Sequence, residues 1–233
     1  MSRQLDIVET SKASNVELAE TMASSIYSVL KDDIITGKLK PGSKLRLQAL
    51  NKKYNIGNSP LREALNRLTA NGLVSQQENK GFKVSSASID ELRDIVNTRC
   101  SLEEIALRQS IENNDEAYYE KIVLLDYRIS RIAKDASASC CITDAQSLNL
   151  EFHQTILSGC GSKLLMKYCL FLYEQTQRYS NLAINQICQE DHEEIEHKAI
   201  CEAILDRDAD KAVELLRSHY QATKEIVIKS DNL

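Results

Sequence analysis

From Ser88 to about residue 228 the chain repeats apolar residues at the spacing of amphipathic α-helices, and only short polar or glycine-containing stretches interrupt the pattern. The chain of 233 residues contains 7 Gly and 2 Pro, which is too few for a turn-rich β-protein. Short loops between consecutive helices favour antiparallel packing of these helices, so we expect a mainly α-helical, antiparallel bundle. The predicted helices span residues 88–112, 115–135, 143–158, 162–184, 189–206 and 209–228.

The part of the chain before Ser88 shows a different order of elements. The pattern predicts a helix from Val16 to Gly37, helices over residues 47–54 and 59–71, and short strands over 73–75 and 82–84 around a polar tip. Three helices followed by a hairpin are the layout of a winged helix-turn-helix. We therefore predict a flexible arm over residues 1–15, a winged helix-turn-helix domain over 16–86 and a helical domain over 87–233.

The third helix of the winged domain is the one that would enter the major groove of DNA. Ser59 is predicted to be its N-cap, with Pro60 at the first helical position. Side chains near this end can touch base edges, where Arg62 suits guanine or a phosphate and Asn58 suits adenine. Each has a structural alternative: Arg62 can form a surface salt bridge with a neighbouring Glu, and Asn58 can be a turn residue.

Further contacts to DNA are predicted around this helix. Ser59 and Arg46 can bind phosphate oxygens, and Lys80 and Gly81 at the tip of the wing can lie in the minor groove. Lys80 can equally be a solvated hairpin tip. The net charge of −5 hides a cationic N-terminal region on an acidic helical part, which is the asymmetry expected if one end of the protein meets a polyanion.

Composition also bears on the cellular setting. The 7 Cys form no CxxC pair and lie on or near apolar helix faces, so we expect buried, reduced thiols rather than disulfides or zinc fingers. No apolar run approaches the roughly 18 residues that span a bilayer, and the polar N-terminus does not resemble a signal peptide. We therefore expect a soluble, cytoplasmic protein that has no membrane partner.

Three of the 4 His can meet inside the predicted bundle. His197 and His219 are equally far along the sequence from Asp208, the turn between two antiparallel helices, so they lie at the same height. Asn149 and His153 share one face of a further helix because they are four residues apart. These residues predict a site for a divalent ion such as Zn²⁺, Ni²⁺ or Mn²⁺. The alternative is a polar pocket in which the imidazoles are hydrogen-bonded without metal.

Two arginines of the helical domain are candidates for binding an effector. Arg99 lies in an apolar stripe and therefore needs a partner, which can be the carboxylate of a small effector or Glu103 or another acid of the bundle. Arg178 lies among tyrosine and leucine residues and is the second candidate. Its alternative role is packing at an interface or on the surface.

Several fixed spacings resemble the GntR winged-helix signature over about residues 19–86. They are Gly37-x-Leu39-x-Pro41-Gly42-x-x-Leu45, Ser59-Pro60-Leu61-Arg62-Glu63-Ala64-Leu65, Gly72-Leu73-Val74 and Gly81-Phe82-x-Val84. The remainder resembles the FCD effector domain of the FadR subfamily in Arg99-x-x-Leu102-Glu103, in Phe152-His153-x-x-Ile156 and in the pair His197 and His219. The run Gly159-Cys160-Gly161-Ser162 also resembles, more weakly, the CsiR-like branch.

The resemblance implies a homodimer that binds operator DNA and releases or tightens it when a small carboxylate binds near a metal ion in the helical domain. The chain departs from the family at two places. Many relatives have Ser-Arg where Gly57-Asn58 stands here, which puts the operator sequence in doubt. The family usually has Asp at the position of Asn149, and an amide is a weaker, neutral ligand.

The sequence thus favours a ligand-responsive transcriptional regulator, most simply a repressor. Two other functions are compatible with parts of it. A metal-dependent hydrolase with an accessory winged domain would use the histidines to activate water, but no general base, nucleophile elbow or phosphate-binding loop accompanies them. A protein–protein adaptor would use the winged domain as a docking surface, and steep salt dependence of DNA binding would exclude this as the main role.

Overall fold

The computed structural model describes residues 21–77, 81–134, 142–183 and 193–230. The chain divides into two compact units between Ala87 and Ser88. The first unit contains α1 (residues 21–35), β1 (Lys44–Leu45), α2 (Leu47–Tyr54), α3 (Asn58–Ala70), β2 (Val74–Gln77) and β3 (Gly81–Val84). The second contains α4 (Ile89–Glu112), α5 (Glu116–Lys134), α6 (Ile142–Leu157), α7 (Lys163–Ser180), α8 (Glu193–Leu205) and α9 (Ala209–Lys229). The predicted arm lies outside the described residues.

The core of the first unit joins its helices to its sheet. Leu30 of α1 and Leu61 and Leu65 of α3 are fully buried, as is Val84 of β3. Full burial of such side chains contributes roughly 1.5–3 kcal/mol each, so this cluster supplies a large part of the stability of the unit. The sequence pattern predicted these positions because they recur at helical spacing on α1 and α3.

The sheet has one strand more than the predicted hairpin. β2 and β3 pair antiparallel as expected, and β1 pairs with the other edge of β3 to give the order β1-β3-β2. Leu45 lies opposite Phe82 in this ladder, and both side chains are buried. A strand of two residues is too short to show an alternating pattern, which is why sequence analysis missed it.

The N-terminus of α3 differs from the prediction. The helix begins at Asn58 with Gly57 as N-cap, and no side chain caps it, so the assignment of Ser59 as N-cap and Pro60 as first helical residue is wrong. Pro60 is still in the first turn. Backbone N–H groups there have no partner within the helix, so the missing N–H of proline costs no helical hydrogen bond. Asn58 is helical, and the left-handed turn residue before α3 is instead Asn55, with φ 50°.

Asp33 ties α1 to α2 in the first unit. Its carboxylate accepts hydrogen bonds from the hydroxyl of Tyr54 at 2.5 Å and from Nζ of Lys53 at 2.9 Å, and the side chain is buried. Burial raises the pKa of this carboxyl, but the bonds from Tyr54 and Lys53 outweigh it, so the pKa lies below the ordinary value of 3.8.

We expect Asp33→Asn to lower the free energy of unfolding of the winged unit by about 1–2 kcal/mol at neutral pH, because two charge-assisted hydrogen bonds are weakened. Since the folded-state pKa is lowered, the advantage of the wild type is complete above pH 3.8 and is lost as the pH falls through the lowered pKa. Urea unfolding at a series of pH values measures this. Asp32→Asn is the control, because Asp32 is exposed; an equal loss in both variants would contradict the assignment.

The second unit consists of helices at nearly the predicted bounds. Ser88 is the N-cap of α4, and its hydroxyl accepts from the backbone N–H of Glu91 at 3.2 Å. The backbone N–H of Ser88 donates to the hydroxyl of Tyr179 of α7 at 3.3 Å. α7 ends at Ser180, and a short 3-10 turn over Asn181–Ala183 follows it.

Two expectations about the whole chain can be compared with the described residues. Cys100, Cys160, Cys169 and Cys201 are free and buried, as predicted, while the other cysteines lie outside the described residues. Within the part of the chain that the structure describes, no helix combines the length and the hydropathy needed to cross a membrane.

Candidate metal and effector site and candidate DNA-binding surface

The histidines of the predicted pocket come together. His153, His197 and His219 are all buried, and each has 4% of its surface exposed. One ring nitrogen of each lies within 4.8 Å of the other two. The ring centroids of His197 and His219 are 4.8 Å apart, and that of His153 is 5.6 Å from His219. The described residues thus form a cluster of three imidazoles in the core of the bundle.

The α8–α9 hairpin explains why His197 and His219 meet. Asp208 is the N-cap of α9 and accepts from the N–H of Lys211 at 2.9 Å, and Arg207 turns the chain in the left-handed conformation at φ 57°. The two histidines therefore lie at equal height on antiparallel helices, as the spacing predicted. His153 reaches them from α6, and the neighbouring Phe152 stacks on His197 with centroids 3.9 Å apart.

Two of the histidines are oriented by hydrogen bonds at Nδ1. His219 Nδ1 lies 2.7 Å from Oε2 of Glu196, and because a carboxylate accepts, Nδ1 carries the proton. His153 Nδ1 lies 3.0 Å from the hydroxyl of Tyr220, which donates its own proton to Glu103. His153 Nδ1 must therefore donate to Tyr220. Both rings then present the lone pair of Nε2, the form that binds a metal ion.

The electrostatics of the cluster favour neutral imidazoles. Burial lowers the pKa of His153 well below its ordinary value, and the positive charge of Arg99 lowers it further. Burial also lowers the pKa of His197 well below its ordinary value, with a smaller contribution from His219. Because a metal ion binds the neutral ring, no protons have to be removed from these two side chains near neutral pH.

Arg99 is paired inside the bundle. Its Nε donates to Oε1 of Glu103 at 2.7 Å, and its Nη2 donates to the hydroxyl of Tyr220 at 3.1 Å. Burial lowers the pKa of Arg99, but the carboxylate of Glu103 raises it more, so the guanidinium stays charged. Of the alternatives for Arg99, the ion pair with Glu103 is present, and contact with an effector remains a proposal.

Asn149 lies beside the cluster rather than pointing away from it. Its side-chain oxygen accepts a hydrogen bond from the hydroxyl of Tyr173 at 3.1 Å. The ring of Tyr173 in turn lies 5.5 Å from that of His153, measured between centroids. The role of Asn149 as a weak neutral ligand stays a prediction.

The donor set fits a divalent transition-metal ion. Three neutral imidazoles close together are typical ligands of Zn²⁺ and Ni²⁺. Glu196 and Tyr220 hold two of the rings as the outer shell of a metal site does. Sequence analysis did not find these two residues. Tyr220 is adjacent to His219 and Glu196 to His197, but no sequence rule tells which neighbour of a histidine bonds to its other nitrogen.

A cavity of about 260 Å³ adjoins the cluster. Its inner wall includes His153, Glu103 and Tyr173, so it reaches both the histidine cluster and the ion pair of Arg99. Its remaining wall comes from α6 and from the first half of α7, and it opens toward solvent. Its volume is about that of a small pocket for metabolites.

Arg178 is buried and paired within the helical unit, and its predicted contact with an effector stays a prediction. It is 1% exposed, so packing on the surface is excluded. Its Nη2 donates to Oε2 of Glu91 at 2.8 Å and to the hydroxyl of Tyr179 at 3.2 Å. Tyr179 also donates to Glu91, and burial raises its pKa to about 12. The described contacts of Arg178 thus lie at the N-terminal turn of α4 and not among the histidines.

The predicted DNA contacts form a polar surface at the start of α3. Asn58, Ser59 and Arg62 are all exposed there, and Arg62 forms no ion pair with any described residue, which leaves its predicted salt bridge without support. Arg46 is exposed at the N-cap of α2. Gly81 is exposed at the start of β3 with φ 79°, a conformation that suits glycine. Lys80 lies outside the described residues.

A winged helix-turn-helix unit joined to a helical unit with a buried cluster of three histidines is the organisation of a DNA-binding transcriptional regulator. Comparison with known proteins assigns the family. The model described as "Bacterial regulatory proteins, gntR family" matches residues 22–84, and the FCD domain model matches residues 94–222. The chain belongs to the GntR family and carries an FCD domain.

Individual relatives agree with this assignment. The HTH-type transcriptional regulator BphR of Paraburkholderia xenovorans is 33% identical over 92% of this chain and 89% of its own length. The HTH-type transcriptional repressor GlaR of Escherichia coli is 30% identical over 83% of this chain and 90% of its own. The structure of E. coli McbR/YncC has a TM-score of 0.74 and 19% identity over 89% of this chain and 97% of that one, which shows a shared fold.

Family membership decides between the functions that the sequence left open. The relatives are transcriptional regulators and repressors, so the chain is a DNA-binding regulator, and neither the hydrolase nor the adaptor alternative holds. GntR regulators bind operator DNA and act as dimers, and FCD domains bind effectors.

Proposed function

We propose that this regulator is a repressor that binds its operator as a homodimer and changes its affinity for DNA when a small carboxylate binds beside a divalent metal ion in the helical unit. The observation that carries the proposal is the cluster of His153, His197 and His219, of which His153 lines a cavity. A metal ion held there would supply a positive charge for a carboxylate oxygen. One relative, GlaR, is named a repressor, which supports the same role here.

The winged unit would read the operator through α3. Asn58, Ser59 and Arg62 lie together at the N-terminal end of this helix, the end that contacts bases in helix-turn-helix proteins. Arg46 would hold a phosphate, and Lys80 and Gly81 would place the wing in the minor groove. Two copies related by a two-fold axis would read two half-sites of a palindromic operator.

Coupling between the effector and DNA requires that the effector favour one of two states of the protein. α4 is the element through which we expect this preference to act. Its N-cap, Ser88, directly follows the winged unit in the chain, and the helix carries both Arg99 and Glu103. An effector that changes the pairing of these two residues would therefore act on the helix that follows the winged unit.

The operator contact of Arg62 gives a direct test. We expect Arg62→Ala to weaken binding of a selected operator fragment by about 1–3 kcal/mol, because a bidentate contact to a base or a charge-assisted bond to phosphate is lost. Fluorescence anisotropy with the purified protein measures the affinity, after fragments have been selected from genomic DNA. For the wild type, the logarithm of the binding constant should also fall with the logarithm of the salt concentration, with a slope of several units.

The matched control is Arg131→Ala. It removes the same positive charge, from an exposed arginine on α5 of the helical unit. We expect it to leave operator affinity nearly unchanged. If Arg62→Ala and Arg131→Ala bound the operator equally well, the assignment of α3 as the reading helix would be wrong.

A further inference from the structure

The cavity beside the histidine cluster has two chemically different ends. The inner end contains His153 and the carboxylate of Glu103. The negative charge of Glu103 is offset there by Arg99, whose Nε lies 2.7 Å away. An anion at the inner end therefore meets no uncompensated negative charge among the described residues, and it gains from any cation bound to the histidines.

The other end carries two lysines. Lys163 and Lys167 line the cavity from α7, and they share a face of the helix because they are four residues apart. Both are exposed, and neither forms an ion pair or hydrogen bond with any other residue that the structure describes. Lys163 is also the first residue of α7, where the helix dipole adds positive potential. Two cations that no described residue neutralises thus line one cavity.

The wall between the two ends is mainly apolar. Leu150 and Leu157 of α6 and Met166, Cys169 and Leu170 of α7 line it, together with one polar residue, Gln154. Along α7, Lys167 and Tyr173 are separated by about 9 Å at 1.5 Å per residue. Since a lysine side chain can reach several ångströms along the helix surface, the gap between the charged ends suits a short aliphatic chain.

We propose that the effector is a dianion with a short apolar body, of the class of aliphatic dicarboxylates. One carboxylate lies at the histidine cluster, and the second lies between Lys163 and Lys167. The methylene groups of the effector contact the leucine and methionine wall. This inference rests on the proposed function, because it assumes that a carboxylate occupies the inner end, and it adds the chemistry of the outer end.

The test compares dicarboxylates with monocarboxylates of the same length. Succinate, glutarate and adipate are titrated into the full-length protein by calorimetry beside butyrate, valerate and hexanoate, after loading with Zn²⁺ and removal of unbound metal. We expect the best dicarboxylate to bind at least about fivefold more tightly than its monocarboxylate partner, because two exposed cations each add a modest ion pair. In the double variant Lys163→Gln/Lys167→Gln this ratio should fall to about one, with monocarboxylate affinity unchanged.

Lys121→Gln is the matched control, since Lys121 is an exposed lysine of α5 away from the cavity; it should keep the full ratio. If monocarboxylates bind and dicarboxylates bind no more tightly, the dianion inference is overturned while the proposed function stands. The dianion inference is also overturned if the preference for dicarboxylates survives in the double variant. If no carboxylate of either series binds to the wild type, the proposed function itself fails and the inference falls with it.

Discussion

Glu103→Ala is expected to lower the free energy of unfolding of the helical unit by about 3–5 kcal/mol, because it leaves the guanidinium of Arg99 buried without its counter-charge. Arg99 is 2% exposed and Glu103 is 1% exposed, so both members of the pair are buried. Tyr220, which donates to Glu103 and accepts from Arg99, would lose one of its bonds as well. Urea unfolding followed by circular dichroism measures the change.

Two further variants separate a buried charge from a general effect of substitution. Glu104→Ala removes the adjacent carboxylate, which pairs with Arg108 and Arg217 at the surface, and it should cost about 1 kcal/mol or less. The double variant Arg99→Met/Glu103→Leu removes both charges and should recover most of the stability. Equal losses for Glu103→Ala and Glu104→Ala would contradict the buried pair.

The second large effect is stabilisation by metal. At a free Zn²⁺ or Ni²⁺ concentration about a thousand times the dissociation constant, we expect the free energy of unfolding of the helical unit to rise by about 4 kcal/mol. His219→Ala should abolish the rise, because it removes one of the three imidazoles. The measurement is thermal or urea unfolding of the dialysed protein with and without metal, beside metal analysis of the purified sample.

The outer shell of the site offers a finer comparison. Glu196→Gln keeps the shape of the side chain but weakens its hold on His219 Nδ1, so metal affinity should fall by about 10–100-fold. Glu202→Gln is the control, because Glu202 is an exposed acid of the same helix, α8. A wild type that gains no stability from any divalent ion would show that the histidines are hydrogen-bonded in a polar pocket, which is the alternative that the sequence left open.

Features with a regular period or a fixed spacing could be predicted from the sequence. The helix bounds followed from apolar periodicity, and the meeting of His197 and His219 followed from their equal distance to Asp208, because an antiparallel hairpin converts equal distance into equal height. The need of Arg99 for a partner followed from its place in an apolar stripe. These inferences use only the geometry of a single element or of two consecutive ones.

Features that depend on contacts between elements distant in the sequence could not be predicted in this way. Arg178 pairs with Glu91, which lies 87 positions away, and no local pattern links them. β1 is too short to have a period. The cap of α3 was misplaced because Ser59, a residue type that favours N-caps, stands two positions after the actual N-cap, Gly57. Lys163 and Lys167 had no apparent role until the packing of α6 against α7 showed that both line a cavity.

The central claim is that the helical unit senses a carboxylate and thereby controls DNA binding. Its most direct test is the affinity for a selected operator fragment, measured by anisotropy with and without saturating dicarboxylate in the Zn²⁺-loaded wild type and in His219→Ala. We predict that the dicarboxylate changes the operator affinity of the wild type about tenfold or more. His219→Ala should bind the operator but not respond. An operator affinity that no carboxylate alters in the wild type, or that responds equally in His219→Ala, would contradict the account.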